Sequence, residues 1–143
     1  MNVAVRRARS ADALRIAELS GVLGYPVDPI VMSERLAHLL ARDDNAVFVA
    51  VTGDRVTGWI HGAEHELLEI GRVCEILGLV VDASARLGGA GRALMAAVEQ
   101  WAVSRGLPQV SVRSNVVRAE SHPFYERLGY GRVKTQHSYR KAL

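Results

Sequence analysis

The chain has 143 residues, of which 49% are apolar, so it can bury a hydrophobic core, and we expect one domain over residues 1–143. Its net charge of +3 comes from basic residues spread along the chain, which argues against a nucleic-acid partner. The absence of a long apolar run argues against a membrane partner. The lone Cys74 lies in an apolar segment without a disulfide partner, and we therefore expect a reducing, cytoplasmic location.

The sequence of the first half of the chain predicts a first strand, two helices and a hairpin. Alternating apolar residues indicate strands, and apolar residues at helical spacing indicate helices. The glycine- and proline-containing connection over residues 21–28 is of the kind that shapes a substrate entrance. The predicted elements are strand Val3–Arg7, helix Ser10–Leu19, helix Pro29–Arg42, strand Val47–Val51 and strand Val56–Glu66.

The second half continues with strands and helices in alternation. A buried strand precedes a glycine cluster and a long helix, and shorter elements follow. Together the elements form a mixed α/β pattern with helices on both faces of one sheet. The predicted elements are strand Cys74–Val81, helix Ala90–Arg105, strand Val110–Arg113, helix Ala119–Leu128 and the strands Tyr130–Lys134 and His137–Arg140.

The segment from Leu79 to Arg92 has the physical properties of a phosphate site. Glycines let the backbone approach an anion, and the helix that follows offers unpaired N–H groups at the positive end of its dipole. A Walker loop is excluded because Arg92 follows Gly91, and a dinucleotide fingerprint is disfavoured by the bulk of Leu94. The remaining pattern is Arg-x-x-Gly-x-Gly, and an ordinary strand-to-helix turn stays open as an alternative.

A second motif, Ser121–Tyr130, follows about 35 residues later with a helix and a strand between. Phe124 and Leu128 are spaced to face the core, and Gly129 suits a left-handed helix cap. Tyr125 is one position away from this apolar stripe, where its hydroxyl could reach a cleft. A half-buried packing tyrosine is the alternative.

The two motifs together resemble the GNAT superfamily of N-acetyltransferases. The first is similar to its acyl-CoA pyrophosphate loop, and Ser121–Tyr130 is similar to its Ala-x-x-Phe-Tyr-Glu-x-Leu-Gly-Phe signature. The resemblance implies a mixed sheet of about seven strands, flanked by four helices, with a V-shaped splay between the fourth and fifth strands. It also implies transfer of acetyl from acetyl-CoA to the amine of a small molecule, no metal, and a homodimer.

The resemblance further implies roles for particular residues. Amides near Leu79 and Val81 bond the pantetheine, and one of them polarises the thioester carbonyl. Tyr125 protonates, or hydrogen-bonds, the departing thiolate, and Asn115 or Arg118 contacts CoA. The residues assigned to the pyrophosphate are Arg86, Leu87, Gly88, Gly89, Ala90, Gly91 and Arg92.

The base that deprotonates the amine is the least determined role. Many GNAT members carry a glutamate at the position of Leu77, whereas the nearest candidate here is Glu75. Since alternate strand residues share a face, Glu75 could act from about 7 Å through a water. A strand-edge glutamate paired with an arginine is the alternative. Acidic residues between Ala63 and Glu75 would attract a cationic amine, although such residues are usually solvated.

Two other functions compete with the acetyltransferase hypothesis. The segment His61–His65 spells His-x-x-Glu-His, an inverted zinc-peptidase motif, which requires a helix to bring both histidines to one metal. Here Gly58 and Gly62 favour a strand, on which the two histidines lie about 13 Å apart. The second competitor is a non-catalytic acetyl-CoA-binding regulator, which turnover with an amine would distinguish.

Overall fold

The computed structural model describes residues 2–114 and 121–143. The chain forms two compact units, Met1–Val112 and Arg113–Leu143, which we call the N-terminal and C-terminal units. The prediction of a single domain is not tested by this division and stays a prediction. None of the helices in the described ranges is long and apolar enough to cross a membrane.

The N-terminal unit is built on a sheet of five strands in the order β1-β2-β3-β4-β5. Neighbouring strands are antiparallel except β4 and β5, which run parallel because α3 crosses over between them. The strands are β1 (Val3–Arg7), β2 (Asn45–Thr52), β3 (Arg55–Leu67), β4 (Gly71–Val81) and β5 (Val110–Val112). The helices are α1 (Ala13–Val22), α2 (Pro29–Leu40), α3 (Ala90–Ser104) and, in the C-terminal unit, α4 (Ser121–Arg127).

Helices cover the two faces of this sheet. Leu94 and Val98 of α3 are fully buried, and the sheet admits them through glycines on β3. A Cβ on Gly62 would lie 2.9 Å from Val98 Cγ1, and one on Gly58 would lie 3.2 Å from Leu94 Cδ1. The other face packs against α1 and α2, and the buried side chains there include Ile16 of α1 and Leu36 of α2. We call these faces the α3 face and the α1–α2 face.

Most predicted elements are confirmed with shifted ends. The hairpin strands are longer than predicted, because the β3–β4 turn is short and β4 begins at Gly71. Short 3₁₀ turns, Ser10–Asp12 and Ala83–Gly88, precede α1 and α3. The predicted start of the last helix, Ala119, lies outside the described residues, and the helix is observed over Ser121–Arg127.

The two predicted C-terminal strands are wrong. Residues 130–143 are exposed or half-buried and carry no strand, so the described sheet has five strands and not seven. Their local alternation is typical of a strand, but a strand forms only when its backbone pairs with another strand. No such pairing is formed along Tyr130–Lys134 or His137–Arg140.

Candidate active site

One extra residue in β4 sets the geometry of the site. Gly78 lies opposite His61, but the next residue of β3, Gly62, lies opposite Ile76. Leu77 is therefore inserted between two paired positions, which is the definition of a β-bulge. The bulge re-aims every backbone group that follows it in β4.

Hydrogen bonds on each side of Leu77 demonstrate the change. Cys74 donates its N–H to Gln109 O at 3.1 Å, toward β5, whereas Asp82 donates its N–H to Thr57 O at 2.7 Å, toward β3. Residues an even number apart on a regular strand point the same way, so one inserted residue accounts for the reversal. The carbonyl of Val81 accepts Arg86 Nε at 3.4 Å, as expected for a residue directed away from β3.

The amides of Leu79 and Val81 face the side where β5 has ended. In the described part of the chain, the last β4 residue paired with β5 is Ile76, opposite Val112. β4 continues to Val81, while β5 stops at Val112. In the described residues, the β4–β5 pairing ends at Ile76, and the splay between these two strands stays a prediction. Among the described residues, no strand pairs with this edge beyond Ile76, and an edge of this kind can bond an extended ligand.

We call residues 82–92 the glycine segment, and its glycines Gly88 and Gly89 form an exposed entry to α3. Gly89 adopts φ 85°, a left-handed conformation that favours glycine, and serves as the N-cap of α3. Gly88 and Gly89 are exposed, and a Cβ at either would meet nothing within 4 Å. The described atoms therefore leave open space directly beside these two backbone positions.

The N-terminus of α3 supplies donors for an anion. The first helical N–H that pairs within this turn is that of Ala93, which donates to Gly89 O at 3.0 Å. The preceding N–H groups, of Ala90 to Arg92, belong to the turn that an α-helix leaves without internal partners. The first turn carries no acidic residue, and the side chains of Arg86 and Arg92 are exposed beside it. This arrangement fits a phosphate or diphosphate group.

Glu75 lies in the hairpin, before the bulge. Its side chain is 14% exposed, and its Oε1 lies 3.3 Å from His65 Nε2 on β3. Glu75 pairs with Ala63, two residues from His65, so both side chains are on the α1–α2 face. The expectation that Glu75 shares a face with position 77 does not follow, because the inserted Leu77 breaks the alternation between them.

The acidic character expected over Ala63–Glu75 is partly cancelled. Glu64 accepts two hydrogen bonds from Arg72, at 2.9 and 3.0 Å, and one from Arg105 at 2.8 Å. These bonds, with Arg72 contributing most, lower the pKa of Glu64 to about 2. Glu64 therefore joins β3, β4 and the end of α3 and is not free to attract an amine.

The two histidines of the inverted zinc motif, His61 and His65, both lie on β3, and its extended backbone keeps them apart. His61 Nε2 is 2.7 Å from Asn45 Oδ1, and His65 contacts Glu75. Burial, with a smaller contribution from His65, lowers the pKa of His61. Within the described ranges no group of three metal-ligating side chains was found. The strand removes the helical geometry that this motif needs.

The C-terminal unit carries the second motif on α4. Tyr130 N–H donates to Tyr125 O at 3.1 Å and Gly129 N–H to Glu126 O at 3.0 Å, with Gly129 at φ 93°. These bonds form a Schellman cap, which confirms the predicted role of Gly129. Tyr125 is half-buried, and its ring makes edge contacts with Phe124 and Tyr130, at centroid distances of 5.2 and 6.3 Å.

Two expectations about this region have different outcomes. Phe124 and Leu128 were expected in the core, but both are half-buried and no described residue of α4 is fully buried. Asn115 and Arg118 lie outside the described residues, so their CoA contacts stay predictions. The roles of Tyr125, Glu75 and the loop residues also stay predictions.

The family model described as "Acetyltransferase (GNAT) family" matches residues 12–130, which is most of the chain. The chain belongs to the GNAT acetyltransferase family. The match includes both the glycine segment and the α4 motif. No curated protein matches the chain by sequence.

Solved structures show the same fold. The aminoglycoside acetyltransferase AAC(6')-Iy, solved with the bisubstrate analog CoA-S-monomethyl-acetylneamine, is 19% identical with a TM-score of 0.89, and 100% of each chain is covered. An acetyltransferase from Trypanosoma brucei is 25% identical (TM-score 0.81; 98% of this chain and 100% of that one). A transcriptional regulator from Bacillus halodurans C-125 is 22% identical (TM-score 0.83; 99% of each).

Two features of this GNAT site were not found from the sequence. The bulge at Leu77 has no local signal, since Cys74–Val81 has the composition of a regular buried strand. The contact between Arg15 and Asp82 joins residues 67 positions apart.

Proposed function

We propose that the protein transfers the acetyl group of acetyl-CoA to an amine of a small molecule. The observation that carries the proposal is the reversal of β4 at Leu77, which aims the amides of Leu79 and Val81 at the edge that β5 leaves open. A pantetheine arm is an extended chain with amide groups, and it can pair with such an edge. The likeness to AAC(6')-Iy, solved with a CoA–neamine conjugate, supports this donor and acceptor class.

The diphosphate of the donor binds at the N-terminus of α3. N–H groups from Leu87 to Arg92 approach the phosphate oxygens, and Gly88 and Gly89 admit them closely. The exposed Arg86 and Arg92 add charge without needing a fixed position. This anchoring fixes the thioester along β4.

The reaction proceeds by direct attack. The amine nitrogen donates its lone pair to the thioester carbon, and the oxyanion that forms accepts the N–H of Leu79, a contribution of about 3 kcal/mol. The C–S bond then breaks and its electron pair leaves on sulfur. Tyr125 gives its hydroxyl proton to the thiolate, and the amine loses its proton to a base.

Glu75 is the proposed base, acting through a water, and His65 assists it. The carboxylate is largely enclosed, whereas His65 is 40% exposed and lies 3.3 Å away. A proton received by Glu75 can pass through this imidazole to solvent. Because Glu64 is held by two arginines, Glu75 and the exposed Glu66 and Glu69 supply the remaining negative charge for a cationic amine.

The experiment is a panel of amines with acetyl-CoA, in which the release of free thiol is measured. The panel includes aminoglycosides, aminoalkylphosphonates, polyamines, amino acids and peptides. We expect at least one small amine to be acetylated, and Tyr125→Phe to lower kcat by about 100-fold. Tyr139→Phe is the matched control, because Tyr139 is 92% exposed and carries no proposed role.

A non-catalytic acetyl-CoA sensor is the second candidate function. The likeness to a transcriptional regulator from Bacillus halodurans favours it. Saturable acetyl-CoA binding with no thiol release on any amine would establish the sensor function and overturn the proposed enzymatic activity.

We also propose a cytoplasmic homodimer, and light scattering on the purified protein tests the dimer.

A further inference from the structure

The connection from β4 to the glycine segment begins at Asp82, whose backbone and side chain both form hydrogen bonds. Asp82 donates its N–H to Thr57 O at 2.7 Å and accepts the Ala85 N–H at its carbonyl at 2.9 Å. Its carboxylate accepts the Ser84 N–H at 3.1 Å, which caps the 3₁₀ turn Ala83–Gly88. Asp82 therefore fixes the direction in which this turn leaves the sheet.

The remaining carboxylate oxygen of Asp82 is bound by an arginine from α1. Arg15 Nη2 donates to Asp82 Oδ2 at 2.9 Å, while its Nε donates to Val56 O at 2.9 Å. A guanidinium can make both bonds at once because its donors form a rigid planar fork. Arg15 thus joins α1, β3 and the start of the glycine segment.

The Arg15–Asp82 ion pair also determines the net charge at the start of the glycine segment. Under the proposed function the glycine segment holds a diphosphate, and Asp82 places a negative charge at the beginning of that segment. The side chains of Arg15 and Asp82 are 20% and 27% exposed, so solvent screens them less than a surface pair. Without the guanidinium, the carboxylate would repel the bound anion and would lose one of the two bonds described for its oxygens.

We propose that Arg15 is a positioning residue for the diphosphate: through Asp82 it holds the turn Ala83–Gly88 in place and neutralises the carboxylate at its start. The inference rests on the proposed function. It assigns Arg15 no contact with the donor itself.

The test compares two acetyl donors. S-acetylpantetheine has the thioester and pantetheine of acetyl-CoA but lacks the diphosphate. We expect Arg15→Gln to lower kcat/KM by about tenfold with acetyl-CoA, mainly through KM, and to leave kcat/KM with S-acetylpantetheine unchanged. A merely structural role would reduce both values equally. Initial slopes give both values without saturation.

A double variant separates charge from geometry. Asp82→Asn removes the unpaired carboxylate, so Arg15→Gln with Asp82→Asn should bind acetyl-CoA better than Arg15→Gln alone. The control is Arg6→Gln, which breaks another arginine–aspartate pair: Arg6 donates to Asp12 at 2.8 and 3.0 Å, away from the glycine segment. It should leave both donors unaffected.

The outcomes distinguish this inference from the proposed function. Equal losses with both donors, or no loss with acetyl-CoA, would overturn the role of Arg15. If wild-type protein shows no turnover, calorimetry with CoA and pantetheine makes the same comparison. If it binds neither, the diphosphate site itself is wrong. Should Arg15→Gln not fold, Arg15→Lys carries the test, because lysine keeps the charge but cannot make both bonds, and it should lose a smaller factor with acetyl-CoA only.

Discussion

The two parts of β4, before and after Leu77, belong to one continuous strand and have different surroundings. Before the extra residue, Cys74 to Ile76 pair with β3 on one side and with β5 on the other. After it, Gly78 to Val81 pair with β3 alone in the described structure. One inserted residue therefore separates a part of the strand that holds the sheet together from a part that offers its amides to a ligand.

The side chains follow the same division. Cys74 lies on the α3 face, where its Sγ is 3.8 Å from a Cβ built on Gly62, and burial raises the pKa of its thiol to about 11. After the bulge it is Val81, an odd-numbered residue, that faces α3 beside Gly58. A regular strand cannot place residues 74 and 81 on one face, so the bulge permits continuous packing while reversing the backbone.

The largest effect is expected from removing one backbone N–H after the bulge, that of Leu79, which tests whether the two parts of β4 differ in function. In Leu79→Pro the lost N–H points away from β3, so the β3–β4 ladder is kept, as at an edge strand. If that N–H stabilises the oxyanion, kcat should fall by about 100-fold, equivalent to about 2.7 kcal/mol, with a modest change in stability. Steady-state thiol release and urea unfolding measure the two quantities.

The neighbouring position is the matched control. The N–H of Val80 points toward β3, and Val80 is 5% exposed, so Val80→Pro should destabilise the fold by about 3 kcal/mol or more. A Leu79→Pro protein with wild-type kcat would show that this amide takes no part in the reaction. Equal destabilisation by both variants would show that the backbone is not reversed at Leu77.

A smaller effect is expected from filling the space beside the bulge. A Cβ on Gly78 would lie 2.7 Å from two ring atoms of Trp59, which packs on the cluster containing Ile16 and Val49. Gly78→Ala must displace the indole, and we expect a loss of about 2 kcal/mol in unfolding free energy. Urea unfolding measures it. Gly88→Ala, where a Cβ meets nothing within 4 Å, should be neutral, and a neutral Gly78→Ala would contradict this packing.

Structural features that depend on neighbouring residues in the sequence could be predicted, whereas features that depend on contacts between distant residues could not. The glycine turn before α3, the bounds of α3 and the cap at Gly129 depend on local glycine patterns and helical spacing. The bulge depends on how β3 pairs with β4, and no residue type near Leu77 in the sequence indicates it. The two C-terminal strands were wrongly predicted for the same reason, because local alternation does not supply a partner strand.

The candidate site divides along the same line. Leu79, Val81 and the residues from Arg86 to Arg92 were selected by motif, and their backbone geometry suits the proposed roles. For Glu75, predicted as the base, the alternative was a pairing with an arginine, and the contact described for it is with His65. Arg15 could not be selected, since nothing near it in the sequence indicates Asp82.

The smallest effect should come from the hairpin before the bulge, where Glu64 lies opposite Cys74. Arg72 and Arg105 lower the pKa of Glu64 from 4.5 to about 2, so their stabilisation is complete above about pH 4.5 and is lost as the pH falls toward 2. Glu64→Gln should therefore unfold more easily than wild type by about 1 kcal/mol at pH 7, and the difference should shrink at pH 3. Urea midpoints at both pH values measure it, with the exposed Glu69→Gln as control. Because Glu64 is bonded to Arg72 and Arg105 and has no proposed role in the reaction, kcat/KM at pH 7 should stay unchanged, and a fall in kcat/KM would place Glu64 in the site.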